Sequence, residues 1–272
     1  MIRVLLALSL CARVAAADPA PPAVSADPRF QVVTPERHRV LRGVLLIASA
    51  GLYLTSETVA KDALIPSACR WCSPNGLDDA VHGALTWGDA RRAGILSDVT
   101  GFALVPVAAA GLLALASHER GERWLGYGDD LLALGESLVY SQLVIQVIKL
   151  TTGRARPYAH YATPDRIHTN DDNLSFASGH SALTFAIAAT AGAIAHRRHD
   201  RLEPVIWATG LTLAATTAYL RIAAEQHYLT DVLAGGAIGA GLGLAIPRIT
   251  GALPAEIQLV PTGSGVALSG AF

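Results

Sequence analysis

The chain has 272 residues, a formal net charge of −1, and 51% hydrophobic against 16% charged residues, where an average soluble domain carries roughly 25% charged. That length suits one large helical domain, and no compositional break argues for two. The near-zero charge excludes a nucleic-acid partner and a broadly basic membrane-surface patch, and the apolar excess calls for a large interior or a partly lipid surrounding.

Met1 to Ala17 reads as an export signal: Arg3 supplies the positive start, Val4 to Ala12 the apolar stretch, and Ala15-Ala16-Ala17 the small-residue cleavage site. Arg13 sits late for such a segment, so an uncleaved anchor is the alternative. Residues 18–40, rich in Pro, Ala and Asp, read as a flexible lead-in to a helical domain over 41–250. Cys11 falls inside the signal, which leaves Cys69 and Cys72 as a candidate local disulfide pinching a loop. A redox role lacks the strand-helix context, and a zinc site would need two more ligands, for which His82 and Asp78 are a poor supply.

Six apolar segments follow, at about Arg42 to Val59, Asp98 to Ser117, Asp129 to Ile148, His180 to Ala195, Glu203 to Ile222 and Thr230 to Pro247. Their lengths and their Ala, Leu and Gly content predict helices, hence an all-α six-helix bundle. Gly235, Gly236, Gly239, Gly241 and Gly243 permit close helix approach and favour a membrane setting. No segment is a clean run of 18 apolar residues: Glu136, Gln142 and Gln146 interrupt the third, and the first has only a short apolar centre from Val44 to Leu54. The basic runs 118–123 and 196–201 lie at the ends opposite the candidate catalytic loops, which places the chemistry outside the cytoplasm. With a cleaved signal the mature amino terminus is outside too, so an even number of crossings precedes Lys149, and the weak first segment is the one to drop. The tail 251–272 alternates at Val266, Leu268 and Phe272 and predicts a short hairpin.

Three fragments carry candidate chemistry. Lys149 ends an apolar helix, and Gly153 and Pro157 stop its continuation, so Arg154 and Arg156 fall on a loop. By itself that is a solvated flank or an interface anchor. Ser178-Gly179-His180 opens an alanine-rich helix whose free N–H groups and dipole suit an anion, or it is an ordinary serine cap followed by a surface histidine. His227 and Asp231 are four apart, so on a helix they share a face, and Arg221 lies six residues before His227; alone this is a surface pair. Together the fragments supply three cations, a glycine turn and two histidines, the requirements of phosphoryl transfer without a metal.

In that order the fragments resemble the type-2 phosphatidic acid phosphatase superfamily, which includes lipid phosphate phosphatases, bacterial class A acid phosphatases and vanadium haloperoxidases. The family runs Lys-x6-Arg-Pro, Pro-Ser-Gly-His and Ser-Arg-x5-His-x3-Asp, and the match spans Lys149 to Asp231. Ala177 stands where the family usually has Pro, and Leu220 where it usually has Ser. The resemblance implies that His227 is the nucleophile forming a phosphohistidine, that Asp231 orients it, and that His180 protonates the leaving oxygen. It further implies that Lys149, Arg156, Ser178, Gly179 and Arg221 bind the phosphoryl oxygens, with no cofactor and with vanadate as a competitive mimic of the transition state.

The expected activity is therefore hydrolysis of a phosphomonoester or pyrophosphate, of a lipid or a small phosphoester, at an inner membrane with a periplasm-facing site. The alternatives are a soluble periplasmic acid phosphatase, a vanadium-dependent haloperoxidase and a catalytically idle membrane scaffold. His160 and His168 read as solvated loop positions, and the loop from Tyr158 to Phe176 as a lid.

Overall fold

The computed structural model describes residues 35–121, 124–163, 169, 171–252, 257–262 and 265–270. The expected signal and most of the lead-in lie outside the described residues. Each apolar segment read from the sequence is helical: α1 (Pro35–Glu57), then, after short α2 (Lys61–Leu64) and α3 (Gly76–Leu85), the paired α4 (Ala90–Val99) and α5 (Val105–Glu119), α6 (Trp124–Thr152) and, beyond the single turn α7 (Pro157–His160), α8 (Gly179–Arg197), α9 (Glu203–Ala223) and α10 (Leu229–Ile249). The tail pairs β1 (Ile257–Thr262) with β2 (Gly265–Gly270) as an antiparallel hairpin, with Leu259 opposite Leu268.

Helix α8 is the axis of the bundle. From Ser181 to Ala195 every residue but Phe185 is buried, and most are Ala, Thr or Gly, so neighbouring helices reach its backbone. Gly235, Gly239 and Gly243 of α10 recur every fourth residue, and a Cβ on any of them would overlap the carbonyl oxygen of Ser178, Ala182 or Ala186, respectively. Backbone contact takes the place of side-chain interdigitation along this seam. The Thr190 hydroxyl donates to the Gly243 carbonyl at 2.9 Å, and Trp207 of α9 covers Gly192.

A five-residue π-helical turn, Thr100–Leu104, joins α4 to α5. Pro106 follows two residues after it; it has no N–H to give the preceding turn, and a wider turn accommodates that loss. Helix α1 leans on α6 through charge: Arg39 holds Asp129 with bonds of 2.6 and 2.7 Å, and Arg42 holds Glu136 with bonds of 2.9 and 2.7 Å. The Thr250 hydroxyl completes the second cluster at 2.9 Å from Glu136.

Helices α1, α4–α5, α6, α9 and α10 are long and apolar enough to cross a membrane. The expectation that the first segment drops out is corrected by α1, which starts at Pro35 rather than Arg42 and presents Val40, Leu41, Val44, Ile47, Leu52 and Leu54, each more than half exposed. An apolar surface of that extent needs a lipid or protein neighbour. With α1 counted, three helices of membrane length, α1, α4–α5 and α6, precede or contain Lys149.

Gly239→Val is expected to force α10 off α8 and cost about 1–3 kcal/mol or more, as overpacking does. Gly241→Ala, on the open side of the same helix, is expected to be neutral or mildly stabilising. Thermal unfolding in detergent checks the contrast.

Candidate active site

Helix α6 ends where Gly153 takes φ +56°, a conformation open to glycine, with Arg70 and Pro66 packed where a Cβ would stand. The Cys69–Cys72 disulfide closes the neighbouring loop, and Trp71 pairs its backbone with this turn, its carbonyl accepting from the Ala155 N–H at 3.0 Å. These contacts aim Arg154 inward. Its guanidinium is 1% exposed, lies 3.9 Å from the Trp71 ring centre and 4.3 Å from that of Tyr228, and donates to Asp78 at 2.7 Å, Thr230 at 2.7 Å and Asp231 at 2.5 Å. Arg154, read from the sequence only as part of a basic run, is thus the charged centre joining α3, the turn after α6 and the start of α10.

Asp231 has no capacity left for solvent. Its second oxygen accepts from the Ser175 hydroxyl at 2.5 Å and from the Tyr228 N–H at 2.9 Å, as the cap of α10. The expectation that it bonds the imidazole four residues back is modified: Oδ2 lies 3.7 Å from His227 Nδ1, while that nitrogen is 2.8 Å from the Ser175 carbonyl. A carbonyl only accepts, so Nδ1 carries the proton and Nε2 is the basic nitrogen. Asp231 orients His227 through Ser175, whose position in the sequence carries no motif signal.

Lys149, Arg156, Gly179, His180, Arg221 and His227 line one cavity of about 380 Å³. Both arginines are braced. Arg156 donates to the Asp171 carbonyl and the Gln226 side chain, both at 2.9 Å, and Arg221 to the Ser97 hydroxyl at 3.1 Å. Gln142 donates to the Gly179 carbonyl at 3.0 Å. A Cβ at Gly179 would sit 3.5 Å from Lys149 Nζ and 3.2 Å from Gln142 Oε1, so glycine there keeps the start of α8 open to the lysine and to an anion. Ser178 departs from its expected place: fully buried and absent from the cavity wall, it caps α8 by accepting from the Ser181 N–H at 3.3 Å and hydroxyl at 3.0 Å. Of the two positions that depart from the family pattern, Ala177 is fully buried and Leu220 is 5% exposed; both are packing positions.

The outer wall comes from elements that the motifs did not include. Tyr53 and Glu57 of α1, Lys61, Asp98 and Asp171 all line the cavity, and Lys61 bonds Asp171 at 2.7 Å. Burial works against the ionised Asp171, but Lys61 and Arg156 outweigh it and hold the carboxyl below its usual range. His227 is pushed well below the ordinary histidine range, first by burial and then by Arg156, Arg221 and Lys149. It is therefore neutral while the site is empty. His82 stacks on Tyr161 at 4.0 Å and bonds Glu225 at 2.9 Å, outside the cavity, and His160 also lies off its wall. His168 lies outside the described residues. Among the described residues no group of three or more His, Cys, Asp or Glu side chains is arranged to hold a metal ion.

Residues 130–254 match the model of the PAP2 superfamily, a stretch that contains all three motifs from Lys149 to Asp231. No curated protein matches the chain. Among solved structures, the first transmembrane PAP2 type phosphatidylglycerolphosphate phosphatase from Bacillus subtilis is similar, with a TM-score of 0.45 and 16% identity, over 77% of this chain and 94% of that one. The family match supports phosphatase activity.

Arg154→Met would leave Asp78 and Asp231 as unpaired buried charges and is expected to cost about 3–5 kcal/mol, read by unfolding in detergent. Because the folded-state His227 is depressed, ring-labelled protein without ligand should still show a neutral His227 by ¹⁵N NMR at pH values below about 6.5, where a free histidine is half protonated. Titration at that ordinary value would contradict the assignment.

Proposed function

We propose that the protein is a metal-independent phosphatase acting on a phosphorylated lipid through a phosphohistidine intermediate. The observation that carries this reading is the convergence of Lys149, Arg156 and Arg221 with the imidazole of His227 around one cavity.

Three positive groups on separate elements match the three non-bridging oxygens of a phosphoryl group and neutralise the charge concentrated there as it transfers. Nε2 of His227 attacks phosphorus while the bond to the leaving oxygen breaks, and that oxygen takes a proton from His180. Water then attacks the phosphohistidine with His180 as base, releasing phosphate and restoring both rings. Asp231, held by Arg154, keeps Ser175 and hence the imidazole in place as its charge changes.

The lipid character of the substrate is supported by five helices of membrane length and by Phe102, which lines the cavity and is 60% exposed. A soluble acid phosphatase fits poorly with the apolar flank of α1. Setting aside Arg154 and the cations of the cavity wall, eight arginines lie at the far end of the bundle, Arg37, Arg39 and Arg42 in α1, Arg120, Arg197, Arg198, Arg201 and Arg248, against Arg70, Arg91 and Arg92 at the cavity end among the described residues. By the positive-inside rule that end is cytoplasmic and the cavity faces outward. With α1 as a crossing, the start of α1 then lies in the cytoplasm. The cavity faces the same side as a cleaved leader and a non-spanning first segment would give it; only the side on which the chain enters α1 differs.

Phosphate release from a panel of lipid phosphates, measured with EDTA present, tests the proposal. The wild type should stay active, orthovanadate should inhibit competitively, and His227→Ala should lose about 10³-fold or more. Full activity of that variant, or a need for a divalent ion, would sink the mechanism.

A further inference from the structure

Helix α4 lies outside the stretch matched by the family model, yet it sends one carboxylate into the cavity. Asp98 Oδ1 is 2.9 Å from His180 Nε2 and 3.4 Å from Arg221 Nη1. The imidazole is confined on its other sides by the turn that follows: Phe102 meets it edge-on with ring centres 4.7 Å apart, and Gly101 packs so closely that a Cβ would stand 3.2 Å from His180 Cδ2. Pi-helical turns occur often at functional sites. Here the turn puts Asp98 before it and Gly101 and Phe102 within it against the same ring.

We propose that Asp98 is the positioning residue for the leaving-group proton: its carboxylate fixes His180 by one nitrogen and stabilises the doubly protonated ring that acts as the acid. This rests on the phosphatase reading above. An ionised carboxylate only accepts, so Nε2 carries a proton in the pair. The charged groups facing His180 are Asp98 from α4, Lys149 from α6 and Arg221 from α9. Burial first, and then the two cations, work against a positive imidazole and push His180 down to about 4, and Asp98 is the counter-charge in contact with it that opposes them. With one N–H held by Asp98, the ring's other proton passes to the leaving oxygen as the P–O bond breaks and that oxygen takes the bonding pair. His180 becomes neutral and remains held in place to deprotonate the water of the second step.

The readout is dependence on the leaving group. A nitrophenolate departs without a proton, whereas an alkoxide needs one, so the two esters separate acid catalysis from phosphate binding. In detergent-solubilised full-length protein, Asp98→Asn should lower kcat/KM for an alkyl phosphate at least about 10-fold more than for p-nitrophenyl phosphate, within the range general acids contribute. Asp98→Glu should recover most of that difference, and adding Asp98→Asn to His180→Ala should cost nothing further on the alkyl ester. A purely structural loss, or one acting through Arg221, lowers both esters alike, and equal losses in an active enzyme overturn this inference alone. A wild type that releases phosphate from neither ester overturns the phosphatase reading and this inference with it.

Discussion

One guanidinium determines the arrangement of the site. Burying Arg154 with two carboxylates is expensive in desolvation, and such a cluster persists where every partner is satisfied. Asp78, Asp231 and Thr230 occupy the terminal nitrogens at 2.5–2.7 Å, two aromatic rings cover the faces, and Nε alone has no hydrogen-bond partner among the described residues. Asp78 in turn accepts the Thr230 N–H at 3.0 Å, so α3 is tied to the first turn of α10 by backbone as well as by charge. From this centre the order passes through Asp231 and Ser175 to the imidazole of His227. The group assigned to attack is thus placed by residues outside the cavity wall.

Packing of the bundle serves the same end by different means. The glycines of α10 and the alanines of α8 bring two backbones together where longer side chains would hold them apart, and the start of α8 stays fixed beside Lys149. Two of the three polar groups that interrupted the third apolar segment are absorbed by partners: Glu136 by Arg42 and Thr250, Gln142 by the Gly179 carbonyl. A helix that reads as too polar to cross a membrane is therefore neutralised on its inward face.

What could be read from the sequence was the part whose chemistry lies within a few residues of itself. Lys149 to Pro157, Ser178 to His180 and Arg221 to Asp231 are short stretches in which residue type and spacing both carry information. Arg154 and Asp78 are 76 residues apart, and His180 and Asp98 are 82 apart; no local period relates an isolated carboxylate to a distant ring. Ser175 acts on His227 through its carbonyl, a group every residue possesses. Ser178 shows the reverse problem, since a hydroxyl before a helix suits a cap and an anion equally, and its neighbours here commit it to the cap. Helix α1 was underrated because its apolar centre is short, whereas its arginines are neutralised by carboxylates on α6.

That pairing gives α1 a second significance. Arg39 and Arg42 clamp it near its start, while Tyr53 and Glu57 reach the cavity about three and four turns further on. The wall they form is set by counting: one residue inserted between clamp and wall would swing both side chains by about 100°, away from the cavity, with every contacting residue intact. The spacing from Arg42 to Glu57 is therefore itself a specification of the pocket, written in chain length instead of chemistry.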